Sequence, residues 1–243
     1  TLWHTLSLHD ALPISTPVFC EVDPETRNAT AATIEACLTD RTEAVMPVHY
    51  GGQPCDMEAI HALCARKGLF LIEDSAETIG ATWNGRPAGS FAVGAFSFFP
   101  TKNITTGEGG MLTCADDAYA ERVRARIAHG VKSTTLAREK EARPWLRAAE
   151  APGHNFRMPN PLAALGWTQL KRLEEMNSAR VSRAAAYNEA FADLAPRLAT
   201  THVAPEATHV YQLYTVRIEE AVRDRVVNAL RAVLYEYGHV FPA

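Results

Sequence analysis

The chain has 243 residues, of which 47% are hydrophobic and 21% are charged, a composition typical of a globular protein with a sizeable core. Its formal net charge is −4 and no basic stripe runs through it, so the sequence does not predict a nucleic-acid-binding protein. No apolar run reaches the length of a transmembrane helix, and the five cysteines lack metal-binding spacing. We therefore expect a cytoplasmic protein without a membrane span.

The first 15 residues do not resemble the rest of the chain. They lack the basic start and the unbroken apolar stretch of a secretory signal peptide. Residues 5–14 instead resemble the translation of a common sequencing adapter, and we therefore expect residues 1–15 to be a non-native leader. A genuine amphipathic leader is the alternative.

Strand and helix patterns alternate in the first half of the remaining chain. The predicted elements are, in order, a strand over 17–22, a helix over 30–38, a strand over 44–48, a helix over 57–67, and strands over 69–72 and 93–99. The helix over 57–67 has the clearest signals, because Asp56 can cap its start and Gly68 can end it. Its apolar positions are Met57, Ile60, Leu63 and Cys64. The run over 69–72 is continuously apolar, as a buried parallel strand requires.

The second half of the chain contains longer helical patterns. The predicted elements are, in order, a strand over 111–114, a helix over 116–128, a charged mobile excursion over 131–149, a helical region from 160 to about 194, a linker over 196–207, a strand over 211–218 and a helix over 223–234. We expect Asn160 to cap the helical region and a break to interrupt it near Asn177. The alternation predicts an α/β sheet with right-handed crossovers.

Three side chains with useful chemistry follow neighbouring strands of the predicted sheet. Asp74 ends the strand that contains 69–72, and Ser97 and Lys102 come at the end of the next strand and just beyond it. Ligands of open α/β sheets bind at the carboxyl ends of the strands. A carboxylate, a hydroxyl and a partly buried amine at that edge are the groups that pyridoxal phosphate requires. Taken singly, Lys102 could instead be a surface lysine and Asp74 a turn residue.

Five ordered motifs extend this interpretation. They are PVHYGGQPCDM at 47–57, IEDSAE at 72–77, GSF at 89–91, FSFFPTKN at 96–103 with TGEGG at 106–110, and GHNFRM at 153–158. In these motifs the chain resembles the DegT/DnrJ/EryC1/StrS family of sugar aminotransferases, of the pyridoxal phosphate fold type I class. The resemblance covers residue 16 to about residue 218. It implies a large domain at 16–195 with a mostly parallel sheet flanked by helices, followed by the start of a smaller α+β domain at 196–243.

The resemblance also implies roles for individual residues. Lys102 would form the Schiff base with pyridoxal phosphate and shuttle the proton, while Asp74 would pair with the pyridinium nitrogen. Ser97 would contact the phosphate, and Glu77 would lie near the hydroxyl of the cofactor. Asn155 would reach across a homodimer interface to the phosphate of the partner subunit.

The activity that the resemblance implies is transfer of an amino group, usually from L-glutamate, onto a keto group of a nucleotide-linked sugar. One alternative is a sugar dehydratase of the same family, although those relatives carry histidine in place of Lys102. The other is a sensory or regulatory relative without catalysis. Relatives also carry a phosphate-binding Gly-Thr segment and a ring-stacking aromatic before the position of Thr16, so we expect this chain alone to bind cofactor weakly and to be inactive.

Several other residues admit two interpretations. His49 could line the site or make a structural hydrogen bond at a strand end. Arg157 could assist phosphate binding or form an interface salt bridge. Trp83 and Trp167 are expected to be packing residues, and the glycine-rich run over 107–110 is expected to form a tight turn because it lacks the spacing of a phosphate loop.

Overall fold

The computed structural model describes residues 15–131, 145 and 148–236. Residues 1–14 of the predicted leader and most of the predicted excursion over 131–149 therefore lie outside the described residues. Among the residues that are described, no helix is long and apolar enough to cross a membrane.

The described residues form six α-helices and eight short β-strands. The helices are α1 (Ala31–Glu35), α2 (Met57–Lys67), α3 (Asp117–Ile127), α4 (Asn160–Leu170), α5 (Leu173–Phe191) and α6 (Glu220–Glu236). The strands are β1 (Ala44–Val45), β2 (Phe70–Asp74), β3 (Thr82–Trp83), β4 (Arg86–Pro87), β5 (Val93–Ser97), β6 (Gly110–Thr113), β7 (Leu198–Thr200) and β8 (Val216–Ile218). Short 3₁₀ turns occupy Tyr50–Gly52 and Ala192–Leu194.

One four-stranded sheet carries the candidate site. Its strand order is β1-β2-β5-β6. The β1–β2 and β2–β5 pairs are parallel, whereas β6 runs antiparallel to β5. The predicted α/β fold with a mostly parallel sheet is therefore confirmed, with an antiparallel strand at one side.

Helix α2 shows how local sequence fixes one side of this sheet. The Asp56 carboxylate accepts a hydrogen bond from the Ala59 N–H at 3.0 Å, and Gly68 ends the helix with a left-handed φ of 66°. Its four predicted apolar positions are all buried, at 2% exposure or less. They pack in a core with Ile34, Val45, Leu71, Trp83 and Phe91.

The predicted strand over 17–22 is wrong. These residues are irregular, and Val18 and Phe19 are 70% and 78% exposed. A strand needs a neighbour to receive its backbone hydrogen bonds, and no described strand lies beside this segment. The Cys37 thiol, 3.8 Å from the Phe19 carbonyl, makes a local contact instead.

The helical region after residue 159 also differs from the prediction. Helix α4 is capped at Pro159 rather than at Asn160, and the break falls between α4 and α5, whereas α5 runs unbroken through Asn177. Asn177 does not interrupt α5, because its side-chain amide forms hydrogen bonds with residues outside the helix and not with the helix backbone. It donates to the Ile79 carbonyl at 3.0 Å and accepts from Asn103 at 2.8 Å.

The predicted linker over 196–207 and the start of the predicted strand over 211–218 need correction. The linker contains β7, which pairs antiparallel with β8, and β8 begins only at Val216. The preceding residues 209–213, which we call the clasp, bend back to the 3₁₀ turn at Tyr50–Gly52. Tyr211 has a φ of 46° there, which an extended strand cannot contain.

Gly52 is where the clasp approaches most closely, and its replacement is predicted to be costly. A Cβ atom on Gly52 would lie 2.8 Å from the Tyr211 nitrogen and 2.9 Å from the Gln212 nitrogen. Gly68 also has a positive φ, but open space surrounds it. We expect Gly52→Ala to lower the free energy of unfolding by roughly 1–3 kcal/mol more than Gly68→Ala, as measured by urea denaturation. Equal losses in the two variants would contradict the close approach.

His209 gives the clasp a predicted pH dependence. Burial lowers the pKa of His209 to about 4, and its Nδ1 accepts a hydrogen bond from the Tyr211 N–H at 2.9 Å. The histidine has a higher pKa in the unfolded chain than in the folded protein, so protonation favours unfolding. The stability that the neutral, buried His209 provides is therefore fully present above pH 6.5 and is lost as the pH falls towards 4. We expect His209 to lower the free energy of unfolding by about 2–3 kcal/mol between pH 7 and 4.5. The His209→Asn variant keeps a hydrogen-bond acceptor but does not titrate, so its free energy of unfolding should fall less between pH 7 and 4.5. Urea denaturation at several pH values measures this, and an unchanged pH dependence would contradict the prediction.

Candidate active site

The structure places three predicted residues at one edge of the main sheet. Asp74 is the last residue of β2, Ser97 is the last residue of β5, and Lys102 lies in the loop that follows. Because β2 and β5 are parallel, with Asp74 opposite Ala95, their carboxyl ends meet at the same edge. This is the edge at which α/β sheets bind their ligands.

Lys102 is held in a partly buried ion pair. Its backbone N–H donates to the Phe99 carbonyl at 3.0 Å, which closes a turn beyond β5. Its Nζ lies 3.3 Å from Glu77 Oε1, and the two side chains are only 17% and 19% exposed. The amine is therefore fixed in place by a charged partner and by limited contact with water.

Glu77 is itself anchored on both carboxylate oxygens. Its Oε2 accepts the Gly51 N–H at 2.8 Å, while its Oε1 faces Lys102. A turn brings Glu77 to this position, because Asp74 Oδ1 accepts the Ala76 N–H at 3.1 Å and so reverses the chain beyond β2. Glu77 thus connects the Lys102 loop with the 3₁₀ turn that precedes α2.

Ser97 helps to shape the loop that carries Lys102. Its Oγ accepts the Phe99 N–H at 3.3 Å. The Phe98 carbonyl accepts from the Thr105 hydroxyl at 2.9 Å and from the Thr106 N–H at 3.0 Å. The loop between β5 and β6 is therefore closed on itself, with Lys102 at its centre.

Asn155 is not brought to this edge within the described chain. It is exposed, its backbone bridges to Ala128, and its Oδ1 lies 3.4 Å from Arg157 Nε. None of the contacts among the described residues joins it to Lys102. Its predicted role in a partner subunit stays a prediction.

A buried pair, His49 and Glu73, lies next to Asp74, and the sequence patterns did not predict the role of its glutamate. His49 Nε2 lies 3.2 Å from Glu73 Oε2, and both side chains are fully buried. The backbone N–H groups of Gly89, Phe91 and Ala92 also donate to Glu73, at 2.7–2.8 Å. Of the two interpretations of His49, the structure shows the structural hydrogen bond.

Electrostatics explain why Glu73 remains a carboxylate in this place. Burial alone would raise the pKa of Glu73, but the bonds from His49 and from the backbone of Gly89 and Ala92 outweigh it and hold that pKa below its usual value. His49 Nδ1 accepts from the Cys55 N–H at 3.1 Å, so Nε2 carries the proton that is donated to Glu73. The sequence signal that could have indicated this buried carboxylate is a glutamate directly after the apolar run over 69–72.

The same pair lies next to the backbone of Asp74. The His49 N–H donates to the Asp74 carbonyl at 3.1 Å, and the Asp74 N–H donates to the Pro47 carbonyl at 3.0 Å. Asp74 therefore lies between β5, where it is opposite Ala95, and the segment that contains Pro47 and His49.

Two cavities among the described residues lie away from Lys102. One, of about 230 Å³, is lined by residues that include Arg27, His202 and Arg217. The other, of about 540 Å³, is lined by residues that include Leu173 and His209. Side-chain chemistry, rather than cavity shape, therefore identifies the candidate site.

Comparison with known proteins decides the family. The sequence model of the DegT/DnrJ/EryC1/StrS aminotransferase family matches residues 14–242. The chain belongs to this family. Aminotransferases of this family depend on pyridoxal phosphate, so the predicted family and cofactor class are confirmed.

Relatives of the chain include two curated proteins and a solved structure. It is 40% identical to the spore coat polysaccharide biosynthesis protein SpsC of Bacillus subtilis and 41% identical to the GDP-perosamine synthase of Caulobacter vibrioides, over 89% and 93% of the chain. It spans 57% and 60% of the length of these two relatives. An aminotransferase from Psychrobacter cryohalolentis superposes with a TM-score of 0.85 at 34% identity, over 92% of this chain and 61% of that one.

The donor set at the sheet edge fits the cofactor of this family. A partly buried amine on Lys102, a carboxylate on Asp74 and a hydroxyl on Ser97 lie at one edge. Pyridoxal phosphate requires an amine for its aldehyde, a carboxylate for its ring nitrogen and polar groups for its phosphate.

Proposed function

We propose that the protein transfers an amino group from an amino acid, L-glutamate, onto a keto group of a nucleotide-linked sugar, with pyridoxal phosphate as cofactor. The observation that carries the proposal is the Lys102 amine, paired with Glu77 at the sheet edge that Asp74 and Ser97 share. The family and the resemblance to a GDP-perosamine synthase, whose name denotes a GDP-linked amino sugar, support the substrate class.

The candidate residues would divide the binding of the cofactor among them. Asp74 would pair with the ring nitrogen, Ser97 would bind the phosphate, and Glu77 would lie near the ring hydroxyl. When bound, pyridoxal phosphate supplies an electron sink that stabilises negative charge beside the amino nitrogen. Lys102 is the group that would hold the cofactor by its aldehyde carbon.

Lys102 and Glu77 would together control one proton. In the proposed reaction, Lys102 Nζ would take the proton from the carbon that bears the amino group of the donor, and would later return a proton to the sugar carbon that receives the amino group. Glu77 Oε1, 3.3 Å away, stabilises the ammonium form and keeps the amine aimed at one place. The Gly51 N–H fixes the orientation of that carboxylate.

We also propose the organisation of the whole protein. Residues 16–195 would form the large cofactor-binding domain, and 196–243 the start of a smaller one; the separate β7–β8 sheet supports this boundary. The protein would be a homodimer with shared sites. The exposed position of Asn155, apart from Lys102 of its own chain, is compatible with a contact to the partner's cofactor.

The test uses the gene product at its full natural length, supplied with pyridoxal phosphate. Formation of 2-oxoglutarate from L-glutamate is measured with a panel of nucleotide-linked keto-sugars, and turnover with at least one of them is expected. Cofactor binding without turnover of any sugar would favour the regulatory alternative. Loss of a hydroxyl from the sugar without amino transfer would favour the dehydratase.

A further inference from the structure

The clasp, residues 209–213, contacts the residues on both sides of Lys102, through the carbonyl of Thr101 and the side chain of Asn103. The Gln212 side-chain amide donates from Nε2 to the Thr101 carbonyl at 2.9 Å. The Val210 carbonyl accepts from Asn103 Nδ2 at 3.3 Å. The residues directly before and after Lys102 are therefore both bonded to the clasp.

The clasp also contacts the anchor of Glu77. The Leu213 N–H donates to the Gly51 carbonyl at 3.0 Å, and the N–H of the same glycine donates to Glu77 at 2.8 Å. Glu77 in turn pairs with Lys102. The main-chain groups of Gly51 thus connect the clasp to the ion pair of the reactive amine.

Three of the residues that make these contacts are shielded from water, whereas Thr101 is exposed. Val210 and Gln212 are 4% and 9% exposed, and Asn103 is 2% exposed. On its outer side the clasp is held by Arg180 of α5, whose Nη1 donates to the Tyr211 carbonyl at 3.1 Å. Buried hydrogen bonds hold their geometry more strictly than exposed ones, because losing a partner costs the full desolvation of the group.

A lysine side chain has four rotatable bonds, so the placement of its amine depends on the backbone that carries it. Catalytic groups must be held to within about 0.5 Å of their working position. Resting on the proposed function, we propose that Gln212 is a positioning residue for Lys102: through Thr101 it sets the backbone from which the amine reaches Glu77 and the cofactor. Gln212 touches neither reactant and acts through the loop alone.

The test compares two variants that each remove side-chain hydrogen bonds between residues 208–213 and the rest of the chain. Gln212→Met removes the bond to the Lys102 loop and keeps a similar volume. Thr208→Val is the control, because the Thr208 hydroxyl accepts the Thr82 N–H at 2.7 Å, lies 3.1 Å from the Thr82 hydroxyl, and contacts neither residue that flanks Lys102. If Gln212→Met yields no folded protein, Gln212→Asn, which keeps the amide and shortens its reach, replaces it.

Two measurements are made on the gene product at its full natural length. In the first, acetic anhydride labels the lysines between pH 7 and 10, and mass spectrometry compares Lys102 with the exposed Lys67 of the same chain. In the second, pyridoxal phosphate is fixed to the protein by borohydride reduction, and its amount at Lys102 is counted.

The proposal predicts opposite changes in the two measurements. In Gln212→Met, labelling of Lys102 by the small reagent rises several-fold, because the amine leaves its pair with Glu77, while fixation of pyridoxal phosphate falls about tenfold, because the amine is misplaced. Thr208→Val changes neither. A Gln212→Met protein with the wild-type values of both, or a Thr208→Val protein with the same changes, overturns the proposal. If wild-type Lys102 fixes no pyridoxal phosphate, the proposed function fails, and the labelling comparison still decides the role of Gln212.

Discussion

Replacing Lys102 with alanine is expected to lower the rate of amino transfer by about 10³-fold or more. The amine would be the group that moves the proton, and positioned acid–base groups contribute about 10²–10⁴-fold. No neighbouring side chain in the described loop offers a second amine, because Lys102 is the one lysine between Phe99 and Thr106. The rate is measured as 2-oxoglutarate formation with the sugar that the wild-type protein accepts best.

Two controls separate chemistry from folding in this experiment. The melting temperature of Lys102→Ala should stay close to that of the wild type, because Glu77 keeps its hydrogen bond from the Gly51 N–H when the amine is removed. Lys67→Ala removes a lysine from an exposed pair with Glu35 and should keep the wild-type rate. A Lys102→Ala protein that keeps more than about a tenth of the wild-type rate would contradict the assignment of the amine.

Replacing Glu73 with alanine is expected to produce the largest loss of stability among single substitutions at this site. Glu73 is fully buried and accepts hydrogen bonds from His49 and from three backbone N–H groups. Its removal leaves those donors without a partner in an interior that water does not reach. Each buried donor that is left unpaired costs about 1–3 kcal/mol, so we expect a total loss of at least about 3 kcal/mol. Urea denaturation, followed by circular dichroism, measures the loss.

Glu35→Ala is the matched control for this substitution. Glu35 also pairs with basic groups, Arg66 and Lys67, but its side chain is 47% exposed. Water and salt already screen that pair, so the unfolding midpoint of Glu35→Ala should match that of the wild type. The interpretation of Glu73 fails if the two variants unfold at the same urea concentration.

Sequence signals were sufficient where the determinants are local. Helix α2 was predicted with its bounds, its cap at Asp56 and its stop at Gly68, because those signals act within a few residues of the helix. The alternation of apolar strands and helices likewise predicted a parallel sheet, and with it the edge shared by Asp74 and Ser97. The pairing of Lys102 with Glu77 is compatible with that edge, but no periodicity specifies it.

Sequence signals failed where the determinants are distant along the chain. The clasp looked like the start of a strand, because nothing in residues 209–213 shows that Gly51 and Gly52 will accept its N–H groups. Asn177 looked like a helix break, because its partner Asn103 lies 74 residues away. Glu73 was interpreted only as the end of a strand, because its four hydrogen-bond donors come from other segments of the chain. Each of these residues satisfies a buried polar group, which a local pattern cannot show.

The long reach of the clasp has a consequence for synthesis on the ribosome. Gln212 and Thr101 are separated by 111 residues, so their bond cannot form until the chain has been made well beyond the Lys102 loop. At about 5–20 residues per second, the interval is roughly 5–20 s. During that time the nascent chain carries the lysine on a loop that lacks its final support. We therefore expect the cofactor to bind at Lys102 only after residue 212 has been synthesised.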